Sequence, residues 1–259
     1  MPEPTADSSA GRPPPPRPSG RRHGRRARVG SAALIAGAIA NCAFLLEGYL
    51  GARLDRSVSF VSELGGRGEP NAIFFRLSDL VAGTLLLIGG AAALSLLPAS
   101  RILRLGVVCS MVYAALTLAD AFLPLDCPPT VDPACRAAEE AGDVSWQHAA
   151  HNVTGALEGF TAPAAMLLIA LGVWGLRRRG RLPHEWEGVW QFLVIVGVLY
   201  GAASLAIAVI YTFGGAELGI LQRVQIVLYA LAMGTIGMTL RGYRPPPAEA
   251  DSAAGRQQR

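Results

Sequence analysis

The sequence predicts an all-α membrane protein, a bundle of six transmembrane helices with both termini in the cytoplasm. Three observations predict it: six apolar stretches of spanning length, a charged fraction of only 16%, and arginines gathered on one side of those stretches. An ordinary soluble domain carries about 25% charged residues. The 51% hydrophobic content and mean hydropathy of +0.36 exclude that class. The stretches read as helices because in lipid only helices or closed barrels satisfy every backbone group, and no barrel-like alternation runs through them.

Residues 1–28 hold Pro13 to Pro16 and a run of arginines with no apolar periodicity, which predicts a disordered basic tail. The transmembrane domain follows over 29–242, with spans expected at 29–51, 75–97, 102–124, 149–176, 189–212 and 218–240. Residues 243–259 read as a second disordered tail. A cleaved leader competes for the first span, since Ile39, Ala40, Asn41 and Cys42 resemble a lipoprotein cleavage site. Asn41 sits where a small residue belongs, and the apolar run continues to Leu46.

The chain has no lysine, and 17 of its 23 basic residues fall in the two tails and in the links after the second and fourth spans. Positive charge in short loops marks the cytoplasmic side, so both termini are expected there, in a multi-pass protein of the cell membrane. The cytoplasmic side then carries +11, and the outer side with the membrane interior −7, together the +4 of the chain. The bilayer is the expected partner of the basic face. Topology already accounts for the arginines, so no nucleic acid partner is expected.

The loop after the third span reads Asp126, Cys127, Pro128, Pro129, Thr130, Val131, Asp132, Pro133, Ala134, Cys135 and is expected outside the cell. Two cysteines in a Pro-rich loop of an oxidising compartment predict a disulfide. Zinc ligation with His148 and His151 is the alternative, and its seven intervening residues exceed the usual spacing of about two to four. Cys42 and Cys109 fall within spans and read as packing residues. The first outer loop (Ser59, Ser62, Glu63, Leu64, Gly65, Gly68, Pro70, Phe75, Arg76, Asp79), the stretch from Phe122 to Cys135, and Ser145, His148, His151 and Asn152 carry a likeness. Over about residues 30 to 240 the chain resembles the bacterial six-helix membrane family called domain of unknown function 998. The resemblance implies the six-helix topology and no particular reaction.

Glu47, Asp79, Asp120, His148, His151, Asn152 and Arg223 should all lie in the outer half of the membrane or at its edge. His148, His151, Gly155 and Glu158 recur at three- and four-residue steps, which puts them on one stripe of a helix. Tyr113, Thr117 and Asp120 make a second stripe, and Tyr200, Ser204 and Tyr211 a third, facing a shared polar interior. A hydrogen-bonded network of Glu47, Asn152, Glu158 and Arg223 that fixes helix packing is one explanation, with Arg223 as the expected partner of Glu158. A zinc site is the alternative: His148 and His151 as ligands, Asp120 or Asp79 completing the set, and Ser62 or Glu63 assisting, would activate water for hydrolysis of a lipid-like substrate. That layout resembles membrane hydrolases such as the alkaline ceramidases and the progestin-receptor-like family. A third reading is binding or transport of a small molecule or lipid, with Pro163, Gly214, Gly215, Gln222 and Gln225 shaping a cavity.

Overall fold

A computed structural model describes residues 19–213 and 218–243. These described residues form seven α-helices in the order α1 Ser19–Asn41, α2 Ala72–Leu96, α3 Arg101–Asp120, α4 Pro133–Ala141, α5 Trp146–Arg178, α6 Val189–Thr212 and α7 Leu218–Gly242, with no strand among them. Five of them, α2, α3, α5, α6 and α7, are long and apolar enough to cross a membrane. The six long helices make a closed ring in which each packs on its chain neighbour and α7 returns onto α1.

Short signals fix where the helices begin. Ser100 caps α3 by accepting the Leu103 amide, and Ser145 caps α5 by accepting the His148 amide. Asp132 caps α4, with Pro133 in the first turn, and Gly142 ends it at φ 77°. This short helix was expected to be loop.

The first expected span is the one the structure alters. Its helix starts at Ser19, within the stretch expected to be a disordered tail, and ends at Asn41 rather than near residue 51. A 3-10 turn over Ala43–Leu46 and a chain reversal at Gly51 (φ 67°) follow. The cause is tertiary: Glu47 is 4% exposed and is drawn to Arg223 of α7, which a continued helix could not allow. Of the tails expected at 1–28 and 243–259, residues 1–18 and 244–259 lie outside the described residues, as do Gly214 and Gly215.

One end of the ring carries only the short links at 97–100 and 179–188, and we call it the terminal end. Its interior is apolar: Leu103, Met166, Val173, Leu193, Met233 and Leu240 interlock there, with Trp186 and Tyr243 in edge contact beneath them. The loop end carries residues 42–71 and 121–145. There the centre of the ring is open.

Candidate functional site: a polar cavity under the loops

The opening is a cavity of about 560 Å³, within the 300–1,000 Å³ or so typical of ligand sites. Every ring helix lines it: Asn41 from α1, Asp79 from α2, Tyr113, Thr117 and Asp120 from α3, His151, Gly155 and Glu158 from α5, Tyr200, Ser204 and Tyr211 from α6, and Gln222 and Gln225 from α7. All three sequence stripes reach it, because a 3.6-residue period keeps each on one side of its helix. Of the fourth-span stripe only His148 does not line it. Phe60, Val61, Ser62, Leu125 and Pro129 form the roof. Tyr113 lines the inner end of the cavity and stacks on Tyr229 behind it, centroids 3.9 Å apart, with the Tyr229 hydroxyl 2.8 Å from Ser110 Oγ.

Among the described residues four carboxyl groups line this space, those of Asp79, Asp120, Glu139 and Glu158. Thr154 donates its hydroxyl to Asp120, and Thr117 donates to Glu158 at 2.6 Å. Among the described residues nothing bonds or pairs with Asp79, which lines the cavity between α2 and α3. On the far wall Gln225 Nε2 donates to Ser204 Oγ at 2.7 Å, and Ser204 donates to the Gly159 carbonyl at 3.0 Å, so α7, α6 and α5 are cross-linked by neutral bonds.

The roof is held by a different set of residues. Glu63 is fully buried and does not line the cavity; it accepts from Phe60 N (3.1 Å), Thr130 N (2.9 Å) and Thr130 Oγ1 (2.5 Å). It thereby joins the 42–71 loop to the cysteine loop. Burial pushes its carboxyl up to about 7, against the pull of those three donors. Asp126 has the opposite balance. Burial would raise its carboxyl, but Ser145 N at 2.6 Å, Ser145 Oγ at 2.8 Å and the Arg67 guanidinium at 2.6 Å hold it below its ordinary 3.8. A disulfide joins Cys127 to Cys135 and ties the loop to the start of α4.

The two histidines are turned to different tasks. His148 Nδ1 accepts the Asp126 amide at 3.2 Å, which leaves Nε2 to carry the proton and face Glu139 Oε2 at 3.6 Å. His151 Nδ1 lies 2.9 Å from the Leu123 carbonyl and 3.4 Å from Asp120 Oδ1. Among the described residues no three His, Cys, Asp or Glu are grouped as a metal would need. The physical reason is that each imidazole already serves a backbone group of the 121–126 segment.

Arg223 is a second correction. It pairs with Glu47, not Glu158, through Nη2 to Oε2 at 2.6 Å and Nε to Oε1 at 3.2 Å. Its Nη1 donates to the carbonyls of Ser59, Arg56 and Gly219 at 2.8, 3.0 and 3.1 Å, so it holds the first loop onto α7. Asn152 donates to Glu139 Oε1 at 3.0 Å, and Tyr211 donates to the same oxygen at 2.9 Å. Glu139 and Thr130 were not singled out from sequence. The Asp132–Pro133 helix start is the signal by which Glu139, on α4, could have been found.

Fold and site together define a helical, multi-pass membrane type of protein with a cavity of mixed polar and apolar lining inside its ring. The chain belongs to the family described as Protein of unknown function (DUF998), whose model matches residues 34–239. No curated protein and no solved structure matches it.

Proposed function

We propose that the chain is a six-span protein of the cell membrane, termini in the cytoplasm, whose cavity binds a small or lipid-like molecule drawn from the outer leaflet. The cavity is the observation that carries this: a deep, partly open space of mixed polar and aromatic lining is costly to keep in a helical bundle unless something occupies it. Two facts support the orientation. The arginine excess lies at the terminal end, and the disulfide lies at the loop end, as an oxidising exterior requires. α1 supports the sixth span by its place in the ring between α2 and α7, although its own apolar part is short.

Gly155 supplies the test, because a side chain started there meets nothing within 4 Å and would grow into the cavity. Wild-type and Gly155→Phe protein, purified in mild detergent, are compared by native mass spectrometry and by thermal stabilisation with membrane lipid extract and small metabolites. The wild type should carry or be stabilised by a ligand that the variant, equally folded, has lost. Absence of any such ligand, or equal binding by both, overturns the proposal. Thiol labelling of intact cells checks the orientation: Cys127 and Cys135 should react only after reduction, and labelling without reductant would refute the outer placement.

A further inference from the structure

We infer that the occupant is an organic cation, an ammonium group on an apolar body. This rests on the cavity reading above and adds the chemical class of its ligand.

Asp79, Asp120, Glu139 and Glu158 reach the cavity from four different helices, and no arginine among the described residues lines it. The basic groups of the loop end that the structure pairs already have partners: Arg223 has Glu47, Arg67 has Asp126, and Arg136 has Glu140 and the ring and carbonyl of Tyr211. His151 is the one imidazole on the wall, and its Nδ1 is bound up with Leu123 and Asp120. A low-dielectric space ringed by carboxyl groups and lacking a fixed cation repels an anion and attracts a cation. An unpaired carboxylate inside a membrane is a costly state, so each such group either keeps a proton or gains a positive partner.

A second observation, independent of the acids, points to a ligand. Tyr200 is 4% exposed, lines the cavity, and its hydroxyl has no hydrogen-bond partner among the described residues. Buried phenol hydroxyls ordinarily find one. Asp79 on α2 and Tyr200 on α6, neither hydrogen-bonded through its side chain among the described residues, therefore face one space from different helices. Aromatic walls suit an alkylated or protonated nitrogen, which gains from ring faces as well as from carboxylates. Phe44, Phe75 and Phe160 complete the wall for the apolar body.

The ammonium could belong to a free amine or to a lipid headgroup, and competition separates them. Full-length protein in detergent is titrated with radiolabelled tetraphenylphosphonium, with tetraphenylborate as an anion of the same shape, and with octylamine and phosphatidylethanolamine as competitors. Saturable phosphonium binding that the borate fails to displace is expected. Affinity should fall roughly tenfold or more in Glu158→Gln and in Asp79→Asn, as loss of a charged contact implies, and stay unchanged in Glu185→Gln at the terminal end. Displacement by octylamine alone assigns a free amine, and displacement by both competitors assigns a headgroup amine. Equal displacement by the borate, or full affinity in both carboxamide variants, overturns the cation. The borate comparison uses wild type, so it decides even if a variant fails to fold. If a neutral or anionic ligand binds and Gly155→Phe removes it, the cavity stands and the cation falls. If nothing binds, both fall.

Discussion

The two ends of the ring solve the same packing problem in opposite ways, and their glycines show it. At the terminal end Gly172 of α5 lies against the backbone of Leu103, where an added Cβ would meet Leu103 Cα at 2.7 Å; Gly106 of α3 meets the Ile169 amide at the same distance. These glycines let backbones touch, the usual device where lipid gives no hydrophobic drive between helices. Under the loops, Gly155 has nothing within 4 Å, and the nearest atoms to Gly159 and Gly201 stand at 3.8 and 3.6 Å. There the small residue leaves room. One end is held by close contact and the other by directional polar ties.

If polar ties hold the loop end, cutting the most buried one should have the largest effect. Arg223→Leu leaves Glu47 4% exposed, and loss of one partner of a buried pair typically costs about 3–5 kcal/mol. The lower part of that range is expected, because Arg56 still reaches Glu47 Oε1 at 3.1 Å. Glu47→Gln added to Arg223→Leu should recover much of the loss. Thermal unfolding in detergent reads both, and a double variant no better than Arg223→Leu alone would show that the pair is not what fixes this loop.

The second tie is sensitive to pH. The Glu63 carboxyl titrates at about 7 in the folded chain against an ordinary 4.5, so between those values the folded state holds more protons than the unfolded one. Stability from this group is therefore complete below about pH 4.5 and lost as pH rises through 7, at most about 3 kcal/mol at 1.36 kcal/mol per unit. Asp126, held low, acts in the opposite sense, but only in more acid solution. The unfolding midpoint should fall from pH 5 to 8 in the wild type, and less steeply in Glu63→Gln. Identical slopes would mean that the roof is held by something other than this carboxylate.

The same contrast explains what could be read from sequence. Spans two to six were legible to within a few residues, because the need to satisfy the backbone in lipid is local and unforgiving. The stripes ending at Asp120, Glu158 and Tyr211 were legible too, since helical periodicity decides which residues share a face. Partnerships were not. Glu47 and Glu158 are both acids on the same side of the pattern, and only the fold of residues 42–60 brings one of them to Arg223. That choice also set where α1 ends, so this misplaced boundary and the mistaken ion pair have a single origin. The orientation of His148 was equally out of reach, because it depends on the Asp126 amide being presented to its ring.

The smallest expected effect tests the comparison most directly, since it asks two glycines of one helix to behave differently. Gly172→Ala must push Leu103 backbone away, and overpacking of this kind costs about 1–3 kcal/mol. Gly155→Ala, on the same helix, adds a methyl to open space and removes a flexible residue from a helix interior, a change worth at most about 1 kcal/mol in the stabilising direction. Unfolding midpoints of the two variants should therefore move in opposite directions. If both fell alike, the cavity would be collapsed in the folded protein and α5 would be packed along its whole length; if neither moved, α3 and α5 would not touch as closely at Gly172 as the contrast requires.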